Sequence, residues 1–170
     1  IYCFARPSHA FLGLSPGLDF ETRLFAKRDA AERLRAELRR RGYRPAPLAL
    51  GANTDPYQPV ERRLGITRGV LEVLREARHP VVIVTKGQAV LRDVDLLAPM
   101  AERGLAVVLV SLTTLDASLA TRMEPRAPPP ATRLKIIAGL AAAGVPVGIL
   151  TSPMIPGLND HEIEALLASA

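Results

Sequence analysis

With 170 residues, 48% of them hydrophobic and only 4% aromatic, the chain can bury a core built from Ala, Leu, Val and Ile. Its longest apolar runs, Val81 to Val84 and Leu105 to Val110, fall far short of the roughly 20 residues of a membrane helix, and no basic-then-apolar leader opens it. The one cysteine, Cys3, excludes an internal disulfide and points to a reducing, cytoplasmic setting, while the net charge of +5 admits a polyanionic partner.

The chain opens on Ile1-Tyr2-Cys3-Phe4. A lone cysteine is ordinarily a small buried hydrophobe, and at a chain end it can instead be what is left of a motif. The run Ala30 to Arg41 reads as an amphipathic helix with Ala31, Leu34 and Leu38 on its buried stripe. Its arginines solvate the other face, and Glu37 can pair with Arg41 at i, i+4.

Short β-branched runs then recur: Leu48 to Leu50, Val81 to Val84, Val107 to Val110 and Val147 to Leu150. They are continuous rather than alternating, which predicts strands covered on both faces of a parallel sheet. Helical patterns separate them, with Val70, Val73, Leu74 and Ala77 on one face, then Leu97, Met100 and Ala101, then Leu134, Ile137 and Ala141. Gly104 and Gly144 suit the left-handed position that closes a helix. The last helix carries Ile163, Leu166 and Leu167, with Asp160 as a capping-box-like start. Repeated β-α units predict a parallel α/β fold, doubly wound or barrel-like, in one domain spanning residues 1–170. Pro128-Pro129-Pro130 is a stiff loop within it, not a boundary.

In such folds ligands bind at the carboxyl ends of the strands. The residues there are Asn53, Thr54 and Asp55, then Thr85-Lys86, then Ser111, Thr113 and Thr114, then the stretch Thr151 to Asp160. This polar ring points to a small-molecule site, although Asn53 and Asp55 suit turn capping equally well. Lys86, directly after an apolar strand, stands out. His9, His79 and His161 lack metal-ligand spacing, and Ser8 and Ser111 have no nucleophile-elbow context. Neither of the common Gly-rich phosphate loops is present.

Taken in order, Tyr2-Cys3-Phe4-Ala5-Arg6-Pro7-Ser8-His9, Gly51 to Pro59 with Glu61, Val84-Thr85-Lys86, Ser111 to Asp116, Met123 to Pro128 and Ile155 to Asp160 resemble the radical S-adenosylmethionine (SAM) superfamily. The likeness is to its branch around spore photoproduct lyase and the DNA repair photolyase homologues. That resemblance implies a partial TIM-like (β/α) barrel of about four to five βα units. It also implies a cysteine loop, Cys-x-x-x-Cys-x-aromatic-Cys, whose thiolates hold a [4Fe–4S] cluster with one iron open to SAM. One electron would then cleave the sulfonium to a deoxyadenosyl radical, in chemistry of lyase or DNA-repair type on a substrate the sequence does not name.

On this resemblance Cys3 is the third cluster ligand and Tyr2 the aromatic near the adenine. Asn53, Thr54 and Asp55 would meet the methionyl or ribose part of SAM. Lys86, Ser111 and Thr113 would face its carboxylate or ribose, Ile155 would pack on its adenine, and Arg126 would meet cofactor or substrate. A reducing electron donor of flavodoxin or ferredoxin type is implied, with DNA or another polyanion as a candidate substrate and no membrane partner. A single thiolate cannot hold the cluster, so the 170-residue chain is expected to be inactive by itself. No second cysteine is present to donate a hydrogen atom, and the catalytic residues stay unassigned.

Two other readings stay open on the residues. One is a metal-independent (β/α) lyase or aldolase with Lys86 as Schiff-base nucleophile. The other is a basic nucleic-acid-binding domain, which the scarcity of aromatics for base stacking disfavours.

Overall fold

The computed structural model describes Cys3 and residues 5–169. A 3-10 segment (Arg6–Leu12) and two helices, α1 (Asp19–Thr22) and α2 (Ala30–Leu38), precede the first strand, β1 (Leu48–Leu50). Helices α3 (Glu61–Leu64) and α4 (Ile66–Glu76) lead to β2 (Val81–Thr85). A 3-10 turn (Gln88–Asp93) and α5 (Val94–Ala101) lead to β3 (Ala106–Ser111). Helices α6 (Ala117–Met123) and α7 (Pro130–Ala142) lead to β4 (Val147–Leu150), and α8 (Ile163–Ala168) follows.

Among the described residues the strands make one parallel sheet in the order β1-β2-β3-β4. A doubly wound fold would reverse its strand order at a switch point. Here every strand pairs with the next in sequence, which is the winding of a (β/α) barrel, present as an open arc rather than a closed ring.

Register explains the core. Leu50 pairs with Ile83, Ile83 with Val108 and Val108 with Val147, so one row of side chains shares one face. That face meets Leu71 and Leu74 of α4, Leu97 and Met100 of α5, and Ile136 and Leu140 of α7 in one cluster. Each fully buried Leu or Ile contributes about 1.5–3 kcal/mol of transfer free energy.

The opposite face corrects the expectation of two covered faces. Val107 at the start of β3 is 37% exposed and Leu150 at the end of β4 is 36% exposed. Consecutive strands joined by crossovers of one hand place every helix on one side, so continuous apolar strands here have one packed face and one open one.

Helix phase differs from expectation in two places. The buried residues of α7 are Arg133, Ile136, Ile137 and Leu140, whereas Ala141 is exposed and Leu134 is half-buried. On α8 only Leu166 is buried, with Ile163 and Leu167 exposed. Helix α2 ends at Leu38, so Arg41 lies beyond it and Glu37 pairs with Arg40 at 3.0 Å instead. Gly104 and Gly144 do take left-handed φ values of 68° and 72°.

The turn after β1 passes very close to β2. Gly51 has φ 91°, and a Cβ there would sit 2.0 Å from the Val84 carbonyl oxygen. Gly51→Ala is therefore expected to destabilise the fold by about 2 kcal/mol or more, since both the backbone conformation and the contact must give way. Urea denaturation of the purified variant checks this; an unchanged midpoint would refute the tight approach of β1 and β2.

Candidate functional site

Each strand ends in a loop that a buried or half-buried side chain ties to its neighbour. Asp55, after β1, accepts from the Thr85 hydroxyl at 2.7 Å and the Lys86 amide at 2.8 Å, both at the end of β2, and from the Tyr57 amide at 2.9 Å. Its carboxylate is thus committed to protein donors and shapes the rim. Asn53 and Thr54 lie exposed on the bend just before it. Outside this pair of loops Glu61 is buried and accepts from Arg92 at 3.1 Å, while Tyr57 donates its hydroxyl to Asp93 at 3.1 Å. Arg68 completes the lattice through Asp93 at 2.9 Å and Asp95 at 2.7 Å.

The ends of β3 and β4 are tied in the same way. Asn159 is fully buried; its amide nitrogen donates to the carbonyls of Thr113 at 2.7 Å and Pro153 at 3.0 Å. Its amide oxygen accepts from the Ile155 N–H at 2.7 Å, which places half-buried Ile155 on the rim. Glu162 accepts from the Thr114 hydroxyl at 2.5 Å and the Leu115 amide at 2.7 Å. Asp160 closes the turn at Gly157, whose N–H it accepts at 2.9 Å, rather than capping α8.

Between these two pairs of loops lies the polar centre. Lys86 Nζ is 2.7 Å from Glu124 Oε1, and the other oxygen of Glu124 accepts from Arg133. Arg133 is 1% exposed and spends its remaining donors on the Pro128 carbonyl at 2.8 Å and the Ser111 carbonyl at 2.9 Å. Burial, then the charge of Arg133, pushes the Lys86 ammonium below its ordinary range, while Asp55 and the Cys3 thiolate pull it back. Cys3, half-buried, therefore stands within electrostatic reach of Lys86. Ser111 is buried beside Arg133, and Thr113 is 1% exposed. The Thr113 hydroxyl has no hydrogen-bond partner among the described residues. A buried hydroxyl without a partner costs about 1–3 kcal/mol, and a ligand group can supply what is missing.

The structure thus gathers Cys3, Lys86, Ser111 and Thr113 around one mouth, with Asp55 and Ile155 on its rim. Arg126 lies elsewhere, exposed and paired with Glu21 at 2.6 Å; Glu21 also binds Arg6, which ties the segment before α1 to the loop after α6. Tyr2 lies outside the described residues. The histidines are used structurally. His79 lies 2.7 Å from the Tyr43 hydroxyl and 3.0 Å from the Pro80 carbonyl, and His9 lies 3.1 Å from the Arg23 carbonyl, while His161 is exposed.

Glu124 and Arg133 escaped the reading of the sequence as site residues. Arg133 did leave a signal: with Ile136, Ile137 and Leu140 it completes the i, i+3, i+4, i+7 pattern of a buried stripe, and a charge in that phase needs a buried partner. Setting the stripe one residue later, on Leu134 and Ala141, hid it.

The mouth fits an anionic, hydrogen-bonding ligand, because Lys86 and Arg133 share the single carboxylate of Glu124 and Thr113 keeps a buried hydroxyl without a protein partner among the described residues. A resident metal cluster is a different matter. Among the described residues no group of three His, Cys, Asp or Glu side chains could hold a metal, so Cys3 brings one thiolate and no more. No described helix is long and apolar enough to cross a membrane.

Comparison with known proteins narrows the class. Over 159 residues the chain is 40% identical to uncharacterised proteins of Mycobacterium tuberculosis and Mycobacterium bovis, an alignment that covers 94% of this chain and 47% of each relative. An uncharacterised protein of Acidianus two-tailed virus is 32% identical over 107 residues, 63% of this chain and 34% of that protein. The chain therefore spans about half the length of the mycobacterial relatives it matches. No solved structure matches it. The family model described as the Radical SAM superfamily matches residues 2–170, and the chain belongs to that superfamily.

Proposed function

We propose that the mouth formed by Lys86, Ser111 and Thr113 binds SAM, and that Cys3 is one thiolate ligand of the [4Fe–4S] cluster with which the superfamily works. The observation that carries this reading is the Thr113 hydroxyl, buried at a strand end without a protein partner among the described residues and close in sequence to buried Ser111. When bound, cluster and SAM supply one-electron reductive cleavage of the sulfonium carbon–sulfur bond. The chain's own residues bind and orient. Lys86 offers a charge-assisted hydrogen bond to the carboxylate of SAM, and the Thr113 hydroxyl offers a donor and an acceptor. Asp55 and Asn159 hold the loops that exclude water, and Ile155 gives the rim an apolar surface for a base.

We also infer a reaction of lyase or DNA-repair type within a longer protein, using an external one-electron donor. The net charge of +5 supports a polyanionic substrate, as does the resemblance to DNA repair photolyase homologues.

The full-length protein, reconstituted anaerobically with iron and sulfide, is expected to cleave SAM to methionine and 5′-deoxyadenosine under a strong reductant. Cys3→Ala is expected to abolish both the cluster absorbance and that cleavage; a variant keeping both would remove Cys3 from the cluster.

Thr113→Val separates binding from folding. Loss of an unpartnered buried hydroxyl is expected to stabilise the ligand-free protein by about 1 kcal/mol while weakening SAM binding severalfold. Thermal melts and calorimetric titration read the two signs, and a variant that binds SAM as well as the parent would refute the contact.

If the substrate is a polyanion, its apparent affinity should fall steeply with salt, with a log–log slope reporting the phosphates engaged. Fluorescence anisotropy with labelled DNA at stepped ionic strength measures that slope, and a flat response would exclude DNA.

A further inference from the structure

The pairing at the centre of the mouth is asymmetric. Two cations, Lys86 and Arg133, share one carboxylate, Glu124, so one positive charge is left over. That excess does not reside at Arg133, which is 1% exposed and already satisfied by Glu124, the Pro128 carbonyl and the Ser111 carbonyl. It resides at Lys86, whose side chain is 30% exposed.

Arg133 is also the better anchor of the two. Its planar fork is fixed by three partners from the loop before α7, the end of β3 and the end of α6. A lysine alone carries about 2 kcal/mol of rotamer entropy on a four-carbon stem, and much of that is lost whenever its amine is held in one place. Glu124 passes the rigidity of Arg133 on to Lys86, with one oxygen bound to each.

We propose that Arg133 and Glu124 are positioning residues that hold the Lys86 ammonium where it receives the α-carboxylate of bound SAM. The proposal rests on the SAM reading above and extends it to two residues that do not themselves touch the ligand. The ordering cost of Lys86 is met in folding, before the ligand arrives, so less of the binding free energy is lost in fixing it.

The clamp predicts a selective defect. Glu124→Gln keeps a hydrogen-bond acceptor for Arg133 through its amide oxygen, removes the charge that holds Lys86, and leaves the two cations to repel each other. Calorimetric titration of the reconstituted full-length protein with SAM, and with its decarboxylated analogue, reads the effect. Glu124→Gln and Lys86→Met are each expected to weaken SAM by about tenfold, the scale of one charge-assisted hydrogen bond, and to leave the analogue unchanged. In the double variant the Glu124 substitution should cost nothing further, because Glu124 acts through Lys86.

Equal weakening of SAM and its analogue by Glu124→Gln would mark a merely structural role and overturn the proposal. So would fully additive effects in the double variant, or no effect on SAM at all. If the parent protein binds no SAM, the proposal falls together with the reading beneath it; if the parent binds and Glu124→Gln binds alike, the proposal falls alone. Should the Gln variant not fold, Glu124→Asp carries the same test, since it keeps the charge and the Arg133 partner while drawing the other oxygen back from Lys86.

Discussion

A parallel sheet whose strands lie in chain order can dress only one of its faces. Each crossover of the same hand returns on the same side, so the helices accumulate there and the other face must be filled from elsewhere or stay open. Everything else in the molecule follows from that constraint. The apolar row through Leu50, Ile83, Val108 and Val147 is spent on the helices. All loops that follow strands emerge at one edge, and the polar side chains of four such loops meet there.

Such an edge is expensive to order. Loops carry backbone groups that must be satisfied, and here side chains do much of that work. Asp55, Arg133, Asn159 and Glu162 each bind main-chain atoms at strand ends or in the loops beyond them, and Arg133 and Asn159 do so from full burial. A buried group of this kind stabilises only when its partners are complete, which is why the set is geometrically strict. The mouth is rigid because its polar groups are mutually satisfied, and the Thr113 hydroxyl stands apart as a group that the described residues leave without a partner.

The strands were legible because β-branched runs bounded by Gly, Pro and polar residues allow few other outcomes. Two predicted runs, Leu48 to Leu50 and Val147 to Leu150, have the strand boundaries seen in the fold, and the other two grew by one or two residues through pairing with their neighbours. Which face was open was not legible, since continuous apolar strands look alike whether helices cover one side or both. Helix phase was legible only where the stripe is strong. In α4 it is, with Val70, Val73 and Leu74 buried as read, although Ala77 falls just past the helix end and is exposed. In α7 small and apolar residues occur all round, and only the unexpected burial of Arg133 reveals the true phase. The strand-end rule brought Lys86, Ser111 and Thr113 to one place, whereas Arg126, flanked by prolines, was carried to the surface by its ion pair with Glu21. Glu124 needed three dimensions, because its meaning comes from partners 38 positions upstream at Lys86 and nine downstream at Arg133.

The ties at the strand ends divide the rim into two stapled halves. Asp55 fastens the β1 loop to the β2 loop, and Asn159 with Glu162 fastens the β3 loop to the β4 loop. The bond from Lys86 to Glu124 crosses the seam between them. The rim is therefore built like a clasp: two stiff jaws, each internally locked, meeting across one ionic contact. A guest seated at that contact touches both jaws at once, so the same event that fills the mouth also sets the distance between its halves.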